Sequence, residues 1–517
     1  MSLCVTRCPG SSFTKKVGKH SEVKVRERIK MSCLHPDKPE PRPVRVRLHF
    51  AFLLAAIVVI AIGLIALNAC GTSTHGTQKP ISQIQHVVVI FQENRTPDNL
   101  FQDPVLISRG ADIASSGTTS TGQVVQLQPA PLDDAWDMGH SHQNFLTEWN
   151  NGGMNGFDRD SAWCAPGQSN CVPPYPEYYY VQDPNVQPYY TLAETYAFAD
   201  HMFQTNQGPS FPAHQYIIAG TSAMTETSIY DMAENPTTST GVAGCIAPPS
   251  AFVTLIDTTN PNPNTNMTQT AYPCTEHRAL TDVLDTNNLN WKYYTPYPGS
   301  IWTGPNAIQH MCGPDQPPPN GTVCQATEWT DHVVLEGQGS QIVTDIQNGQ
   351  LAAVTWVIPD GTLSDHPMST GECGPSWVAA IVNAVGNSQF WNNTAIIITW
   401  DDWGGWYDHV TPPQPFHNSY EIGFRVPMIV VSPYAKAQYI STVNHDFGSI
   451  LKFVESVFGL PEIDPVVGFA DSRADDLSDI FNFNQTPLQF TTISYPSACS
   501  PSQFLNRNGP PTPPDND

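Results

Sequence analysis

Two adjacent acids, Asp401 and Asp402, directly follow the apolar run Ala395–Thr399. The run is short, continuous and rich in β-branched residues, which predicts a strand buried on both faces of a parallel sheet. Ligands of open α/β sheets bind beyond the carboxyl ends of such strands. Because neighbouring carboxylates repel each other and are costly to desolvate, the pair predicts a metal site. The alternative interpretation is a solvated turn with the sequence Asp-Asp-Trp-Gly-Gly.

The same arrangement occurs earlier in the chain, where the apolar run His86–Phe91 is followed by Glu93 and Asn94. Together with Asp401 and Asp402, these side chains offer only oxygen ligands. Oxygen ligands suit hard ions, so we expect one divalent metal ion, with Mg²⁺, Ca²⁺ or Mn²⁺ favoured over Zn²⁺.

Five separated blocks resemble the bacterial phosphoesterase family of the phospholipase C and acid phosphatase type, which belongs to the alkaline phosphatase superfamily. In the family's order, the blocks are HVVVIFQENRTPDNLF (86–101), DMGHSHQNFLTEWNNGGMNGF (137–157), GPSFPAHQYIIAGTS (208–222), TAIIITWDDWGGWYDHVTPP (394–413) and RVPMIVVSPYA (425–435). The resemblance implies a hydrolase of phosphoric esters with an alkaline-phosphatase-like α/β fold. Its central sheet would be mostly parallel, flanked by helices and carrying long surface loops.

The resemblance also implies a nucleophilic hydroxyl after Gly-Pro, which is Ser210 here. Ser210 would complete the metal ligands Glu93, Asn94, Asp401 and Asp402, because metal coordination can activate a weakly nucleophilic serine. Taken alone, a serine between two prolines is more typical of an ordinary turn.

Histidines supply the second part of the predicted site. His140 matches the family's histidine before the WNNG motif, and His366 follows a predicted strand over 351–358. Both are catalytic candidates, since imidazole can bind phosphate oxygens or protonate the leaving alcohol. His214 and His310 are candidates for substrate binding. His409 is interpreted as a loop brace and is left outside the site.

The N-terminal region predicts export. The first 47 residues hold 12 of the 23 Lys and Arg and only four acids, and they precede an apolar stretch over 50–67 that is long enough to span a bilayer. Cys70 resembles the cysteine of a lipoprotein cleavage site, and Met31 is an alternative start. Whether the segment is cleaved, lipidated or retained as a span, the catalytic part is expected outside the cytoplasm, as a periplasmic, cell-surface or secreted domain.

Charge and cysteine content agree with export. Beyond residue 47 the chain carries 43 acids and 11 bases, a net charge of −32, which disfavours nucleic acid as a partner. Eight cysteines follow Cys70, an even number that is typical of disulfides in exported proteins. Local spacing favours the pairs Cys164–Cys171, Cys245–Cys274 and Cys312–Cys324, which leaves Cys373 with Cys499.

Strand-like and helical runs alternate from about residue 82 to 500, which predicts a parallel sheet flanked by helices. We interpret the chain as a basic region (1–49), a signal or membrane-anchor segment (50–70), a phosphoesterase domain (82–500) and a disordered tail (501–517). Long polar segments at 102–135, 160–190 and 233–275 are predicted to be surface loops without strands. Trp400, Trp403 and Trp406 are expected either to line a leaving-group pocket or to pack in the core.

Three functions fit these features. The first, favoured on the length of the chain, is an exported metal-dependent hydrolase of phosphate monoesters, similar to acid phosphatases. The second is a phospholipase C that cleaves phospholipid diesters at the head group, with the N-terminal segment or a lipid anchor holding it at the membrane. The third is a catalytically inactive surface binding protein, which the intact set of acids disfavours. The oligomeric state is left open.

Overall fold

A mixed eight-stranded sheet lies at the centre of the computed structural model, which describes residues 81–336, 341–369, 371–505 and 510–514. The predicted basic region, the predicted apolar span and Cys70 lie outside the described residues. Among the residues that are described, no helix is both long enough and apolar enough to cross a bilayer.

The strands are β1 His86–Gln92, β2 Ser116–Thr118, β3 Val124–Gln126, β4 Gln128–Ala130, β5 Trp136–Met138, β6 Ala162–Cys164, β7 Tyr179–Val181, β8 Ala197–Ala199, β9 Tyr230–Met232, β10 Val253–Asp257, β11 Gln269–Ala271, β12 Trp291–Thr295, β13 Val333–Leu335, β14 Val354–Val357, β15 Thr394–Trp400, β16 Met428–Val431 and β17 Tyr439–Ser441.

The helices are α1 Pro97–Leu100, α2 Pro104–Ser108, α3 His142–Trp149, α4 Gln187–Thr195, α5 Ser210–Ala219, α6 Leu280–Thr286, α7 Gln309–Cys312, α8 Thr327–His332, α9 Gln341–Gln347, α10 Gly374–Gly386, α11 Phe447–Phe458, α12 Ala470–Arg473 and α13 Pro501–Phe504.

The large sheet has the strand order β13-β12-β14-β1-β15-β16-β8-β17. Strand β1 lies between β14 and β15 and is parallel to both. Only β16 runs antiparallel to its neighbours, β15 and β8. The prediction of a mostly parallel α/β sheet is therefore confirmed, and the two strands that precede the acids are adjacent in it.

Both predicted strands are buried along their length. The side chains of Val87–Ile90 and Ala395–Ile398 have no exposed surface, as a parallel strand covered on both faces requires. Helix α10 packs on α4 and α9, and α11 packs on α5. Trp400, Trp403 and Trp406 are also fully buried, so the structure favours core packing over an open pocket for these residues.

The polar segments differ from the prediction. Instead of lacking strands, they contain β2, β3, β4, β6, β7, β10 and β11. Strands β2 and β3 pair with each other, as do β4 and β7, while β6 pairs with β5, and β10 pairs with β9 and β11. These strands are mostly three residues long, too short to produce a recognisable alternation of polar and apolar residues. Their pairing depends on contacts that are distant in sequence.

The predicted disordered tail is also corrected in two places. Residues Pro501–Phe504 form a short helix in which Phe504 is buried. Further on, the backbone N–H of Thr512 donates to Asp360 at 3.1 Å. The prediction of disorder was based on local composition, which contains no information about contacts with residues that are distant in sequence.

All four predicted disulfides are present: Cys164–Cys171, Cys245–Cys274, Cys312–Cys324 and Cys373–Cys499. Three of them close short loops of 7, 29 and 12 residues, whereas the fourth joins cysteines 126 residues apart. The three local pairs follow from spacing, and the long-range pair was the one that remained.

Candidate active site

Two acids leave the sheet side by side where β1 and β15 end. Gln92 pairs with Trp400 in the parallel register, so the next residues, Glu93 and Asp401, emerge at the same edge. The backbone N–H of Asn94 donates to Asp401 Oδ1 at 3.0 Å. The two acid-terminated runs therefore meet in one buried site, as their positions in the sequence predicted.

Ser210 reaches the same site from a different element. It is the first residue of helix α5, and its hydroxyl donates to Asp402 Oδ2 at 3.2 Å. The other carboxylate oxygen of Asp402 accepts the backbone N–H of Gly404 at 2.7 Å. A phosphoryl group at Ser210 would lie at the N-terminus of a helix, where aligned peptide dipoles favour negative charge.

His214, one turn further along α5, contacts the acids directly. Its Nε2 lies 3.2 Å from Glu93 Oε1 and 3.8 Å from Asp401 Oδ2. The three side chains together are arranged so that they could hold a metal ion. Burial lowers the pKa of His214 to about 4, so its imidazole is neutral at pH 7, the form that binds metals. Sequence analysis considered His214 only for substrate binding and missed this contact.

His140 and His366 lie beside the acids. His140 Nε2 is 3.3 Å from the side-chain nitrogen of Asn94, and its Nδ1 donates to the carbonyl of Met138 at 2.9 Å. The rings of His140 and His366 are 6.3 Å apart, although the two residues are more than 200 positions apart in the sequence. His366 Nδ1 donates to the carbonyl of Pro367 at 2.8 Å.

His310, in contrast, belongs to a separate cluster of acids. Its Nδ1 lies 3.0 Å from Glu276 Oε1, and its Nε2 lies 3.5 Å from Asp282 Oδ2 and 4.0 Å from Glu328 Oε2. Although burial lowers the pKa of His310, these acids raise it to about 9 overall. In the part of the chain that the structure describes, no hydrogen bond or ion pair links His310 to Ser210. The structure therefore does not bring His310 together with the other predicted residues.

Three oxygen atoms at the strand ends meet no hydrogen-bond donor among the described residues, namely Glu93 Oε2, Asn94 Oδ1 and Asp401 Oδ2. Burial, followed by the charge of Asp401, raises the pKa of Glu93 well above its usual value. The same two causes raise the pKa of Asp402. A cation would supply the missing partner and favour the ionised acids. The donor set of carboxylate, amide and hydroxyl oxygens thus fits a hard divalent ion.

Two glycines after β15 allow this close approach. Gly404 and Gly405 have φ angles of +60° and +73°, in the left-handed region that glycine adopts without strain. A β-carbon on Gly404 would lie 2.6 Å from Cβ of Asn94, and one on Gly405 would lie 2.7 Å from Cβ of Met138. The Gly-Gly pair therefore lets the end of β1 and the segment before His140 pack against the turn.

Asp365 is a supporting residue that sequence analysis missed. Its carboxylate accepts hydrogen bonds from the Tyr189 hydroxyl at 2.8 Å and from Trp400 Nε1 at 3.0 Å. Its carbonyl accepts the Nε–H of Arg95 at 2.8 Å. These bonds join the loop of His366 to the ends of β1 and β15. In the sequence, only the position of Asp365 next to His366 indicated that it could support the site.

His409 acts as the predicted loop brace. Its Nδ1 lies 2.7 Å from Asp98 Oδ2, and its Nε2 lies 3.0 Å from Asp112 Oδ1. These contacts tie the loop after β15 to the segment after β1. These hydrogen bonds fit a loop brace, and the exclusion of His409 from the site remains a prediction.

The chain matches the Phosphoesterase family over residues 84–461, a range that contains every site residue described above. Because the match covers most of the chain, this protein belongs to the Phosphoesterase family. Among solved structures, a protein in the alkaline phosphatase superfamily from Vibrio parahaemolyticus aligns over 77% of this chain and 70% of that chain, with a TM-score of 0.33 and 9% identity.

Similar curated proteins are phospholipases C. The non-hemolytic phospholipase C of Burkholderia pseudomallei is 23% identical over 469 residues, which cover 78% of this chain and 60% of that protein. The hemolytic phospholipase C of Pseudomonas aeruginosa is 24% identical, with 78% and 56% covered. Phospholipase C B of Mycobacterium tuberculosis is 31% identical over 169 residues, with 28% and 32% covered. The chain thus spans between a third and three fifths of the length of these relatives.

Proposed function

We propose that this protein is a phosphoric ester hydrolase in which Ser210 is the nucleophile. The observation that carries the proposal is the position of the Ser210 hydroxyl, 3.2 Å from Asp402 and beside buried acids that lack partners. One hard divalent ion would be held by Glu93, Asn94, Asp401 and Asp402, with Ser210 as a further ligand. Membership of the Phosphoesterase family supports this assignment.

The reaction would proceed in two displacements. Asp402 accepts the hydrogen bond of the Ser210 hydroxyl and is placed to take its proton as Oγ attacks phosphorus. The alcohol leaves with a proton from a histidine, and a phosphoserine remains. Water then attacks the phosphoserine, releases the phosphate product and restores the hydroxyl. A divalent ion, when bound, would lower the pKa of the serine hydroxyl and stabilise charge on the phosphoryl oxygens.

His140 and His366 are the proposed proton donors. Each uses Nδ1–H to donate to a backbone carbonyl, that of Met138 and that of Pro367 respectively. Nε2 is therefore the nitrogen of each ring that remains for a proton exchanged with the substrate. His140 is also held at Nε2 by the Asn94 amide in the absence of substrate. A substrate oxygen entering the site would replace that contact.

A phosphodiester of the phospholipase C type is the substrate class that the site favours. Arg95, the arginine that follows Asn94, directs its donors away to Asp134, Asn99 and the carbonyls of Leu132 and Asp365. With three carboxylates and no arginine contact in the described site, the monoanion of a diester is less repelled than the dianion of a monoester. The phospholipase C relatives support the same class.

Hydrolysis of monoesters is the second candidate, and the depth of the site favours it. Ser210, Asp402 and His366 each expose 2% or less of their surface. A monoester carries a single organic group on phosphorus, so it needs only one exit from such a site. A diester needs room for two.

An extracytoplasmic location is part of the proposal. Four disulfides support an oxidising compartment, and the basic N-terminal region followed by an apolar stretch supports an anchor or a cleaved signal. Labelling of intact cells with a membrane-impermeant reagent would test the location. Protection of the whole chain from that reagent would contradict it.

The central experiment is to trap the intermediate. Protein incubated with ³²P-labelled substrate and quenched in acid is expected to carry label on the peptide that contains Ser210. Ser210→Ala should lose the label and lower turnover by about 10³-fold or more, as removal of nucleophiles does in other hydrolases. Metal content, measured on the same samples, should stay near one ion per chain.

Ser222→Ala is the matched control, because Ser222 is a buried serine whose hydroxyl donates to the carbonyl of Met232, away from the acids. It should keep the label and the turnover. Label on a histidine, or normal turnover by Ser210→Ala, would overturn the serine mechanism. Comparing release of inorganic phosphate from monoesters with release of phosphorylated head groups from phospholipid then separates the two substrate classes.

A further inference from the structure

A cleft of about 1000 Å³ is lined by residues that are close in sequence to Ser210 and His140. Its wall combines residues of helix α3 with the segments 258–266 and 416–419, and its lining includes His142 and Gln207. Gln207 precedes Ser210 by three residues, so at most about 11 Å of extended chain separates them. His142 follows His140 by two residues. A group bound in this cleft could therefore be attached to a phosphate at Ser210.

The cleft has both apolar and polar walls and carries no formal charge. None of its lining residues is Asp, Glu, Lys or Arg. One side is formed by Trp149 and Phe416, whose ring centroids are 5.0 Å apart. Facing residues are amides and hydroxyls, among them Thr258, Asn266 and Ser419. Ionic groups would find no counter-charge here, and an acyl chain would leave these amides and hydroxyls without hydrogen-bond partners.

Two buried acceptor atoms of the lining residues have no partner among the described residues. His142 Nδ1 donates to the carbonyl of Gln207 at 3.0 Å, which leaves Nε2 as an acceptor while the ring is neutral. Burial lowers the pKa of His142 to about 4, so the ring is neutral at pH 7. His142 Nε2 and Asn266 Oδ1 meet no donor. Unpaired buried acceptors are costly, and hydroxyl groups of a ligand would satisfy both once a small rotation of each side chain turns its acceptor atom toward the cleft.

We propose that this cleft binds an uncharged, polyhydroxylated ring of the sugar or inositol class as the organic group of the phosphate ester. The apolar face of the ring would pack on Trp149, and its hydroxyls would donate to His142 and Asn266. The inference rests on the proposed function for its link to phosphate. A free sugar or inositol phosphate and an inositol lipid share this chemistry.

Direct binding of myo-inositol, measured by titration calorimetry, is the first test because it needs no catalysis. Asn266→Leu keeps the size of the side chain, removes the unpartnered oxygen and breaks no protein hydrogen bond of that oxygen. It should weaken inositol binding by about tenfold, the value of one good hydrogen bond. Asn264→Leu, the same change in the same loop but outside the cleft, should bind as the wild type does.

Hydrolysis is the second test, with inositol and ethanolamine esters compared in both forms. Phosphatidylinositol is paired with phosphatidylethanolamine in vesicles, and inositol phosphate with ethanolamine phosphate in solution. In whichever pair is cleaved, Asn266→Leu should lower the inositol-to-ethanolamine ratio of kcat/KM by about tenfold. Trp149→Leu should lower it as well, by removing the stacking face, and serves if Asn266→Leu does not fold.

The outcomes separate this inference from the proposed function. Inositol binding that Asn266→Leu weakens, without cleavage of any ester, would support the cleft and contradict the hydrolase. Cleavage of esters with an unchanged ratio in both variants, and no inositol binding, would overturn the cleft and leave the hydrolase intact.

Discussion

Two buried clusters of acids follow the same two strands, and they differ in what neutralises them. The strand-end cluster consists of Glu93, Asp401 and Asp402. The Arg425 cluster consists of Asp98 and Asp408, which lie five and six residues further along the chain than Glu93 and Asp402. In the second cluster, Arg425 Nε lies 3.0 Å from both oxygens of Asp408, and Nη2 lies 3.3 Å from Asp98 Oδ1.

Among the described residues, the first cluster has no such partner. Arg95 is turned toward Asp134, and the contacts that the strand-end acids receive come from Ser210, His214 and backbone N–H groups. Pairing with an arginine of the same chain gives a buried acid a structural role, whereas several buried acids that share one site without such a cation indicate a candidate ligand site. The presence or absence of a paired arginine therefore distinguishes the Arg425 cluster from the strand-end cluster more clearly than their positions in the sequence do.

The largest difference is expected in activity. Asp401→Asn should remove the bound divalent ion and lower kcat/KM by about 10³-fold or more, because metal and nucleophile activation are lost together. The folded fraction of the Asp408→Asn variant should still bind the ion. Metal analysis and initial rates on both variants check this. Full activity in metal-free Asp401→Asn would contradict the proposed roles of the strand-end cluster.

Stability should respond in opposite directions. In metal-free protein, Asp401→Asn removes repulsion among neighbouring carboxylates, so the free energy of unfolding should rise. Asp408→Asn leaves Arg425 without its main partner and should lower that free energy by about 3–5 kcal/mol, the usual cost of breaking a buried ion pair. Urea denaturation in the presence of a chelator measures both. Lys452→Met, which breaks a partly exposed pair with Glu455 and Glu462, should cost less than about 1 kcal/mol and is the control.

A smaller effect is expected from pH. Burial raises the pKa of Asp365 to about 6 and that of Glu234 to about 8. Acids whose pKa is raised in the folded state contribute stability below their unfolded pKa and lose it as the pH rises through the folded pKa. The lowered pKa values of His142 and His214 act in the opposite direction between about pH 4 and pH 6.5, but buried acids with raised pKa values are more numerous. The unfolding free energy of metal-free protein should therefore fall between pH 4 and pH 8, with each acid contributing about 1.4 kcal/mol for each unit of its pKa shift.

Denaturation across that pH range checks the prediction, with Glu234→Gln expected to show a shallower fall. Saturating Mg²⁺ should reduce the fall further, since a cation favours the ionised forms of Glu93 and Asp402. Stability that rises with pH in the metal-free protein would contradict the assignment.

Local patterns predicted the main elements well. The apolar runs became β1 and β15. The short strands of the polar segments were missed because three residues carry too little pattern. The docking of His214 on Glu93, and of Asp365 on Trp400, depends on elements far apart in sequence and had no local signal.

The sequence by itself determined which residue types follow the buried strands, because the alternation of apolar runs and acids is a local property that survives without a structure. It also determined the chemistry that oxygen ligands and a serine hydroxyl could perform. Only the tertiary structure decided which acids receive a charge partner. By residue type and position after a strand, Asp98 and Asp408 are as suitable for a metal as Asp401 and Asp402. In the structure, however, Arg425 from another segment forms ion pairs with Asp98 and Asp408. Charge pairing depends on distances of a few ångströms between segments that lie far apart in the chain, and local sequence does not specify those distances.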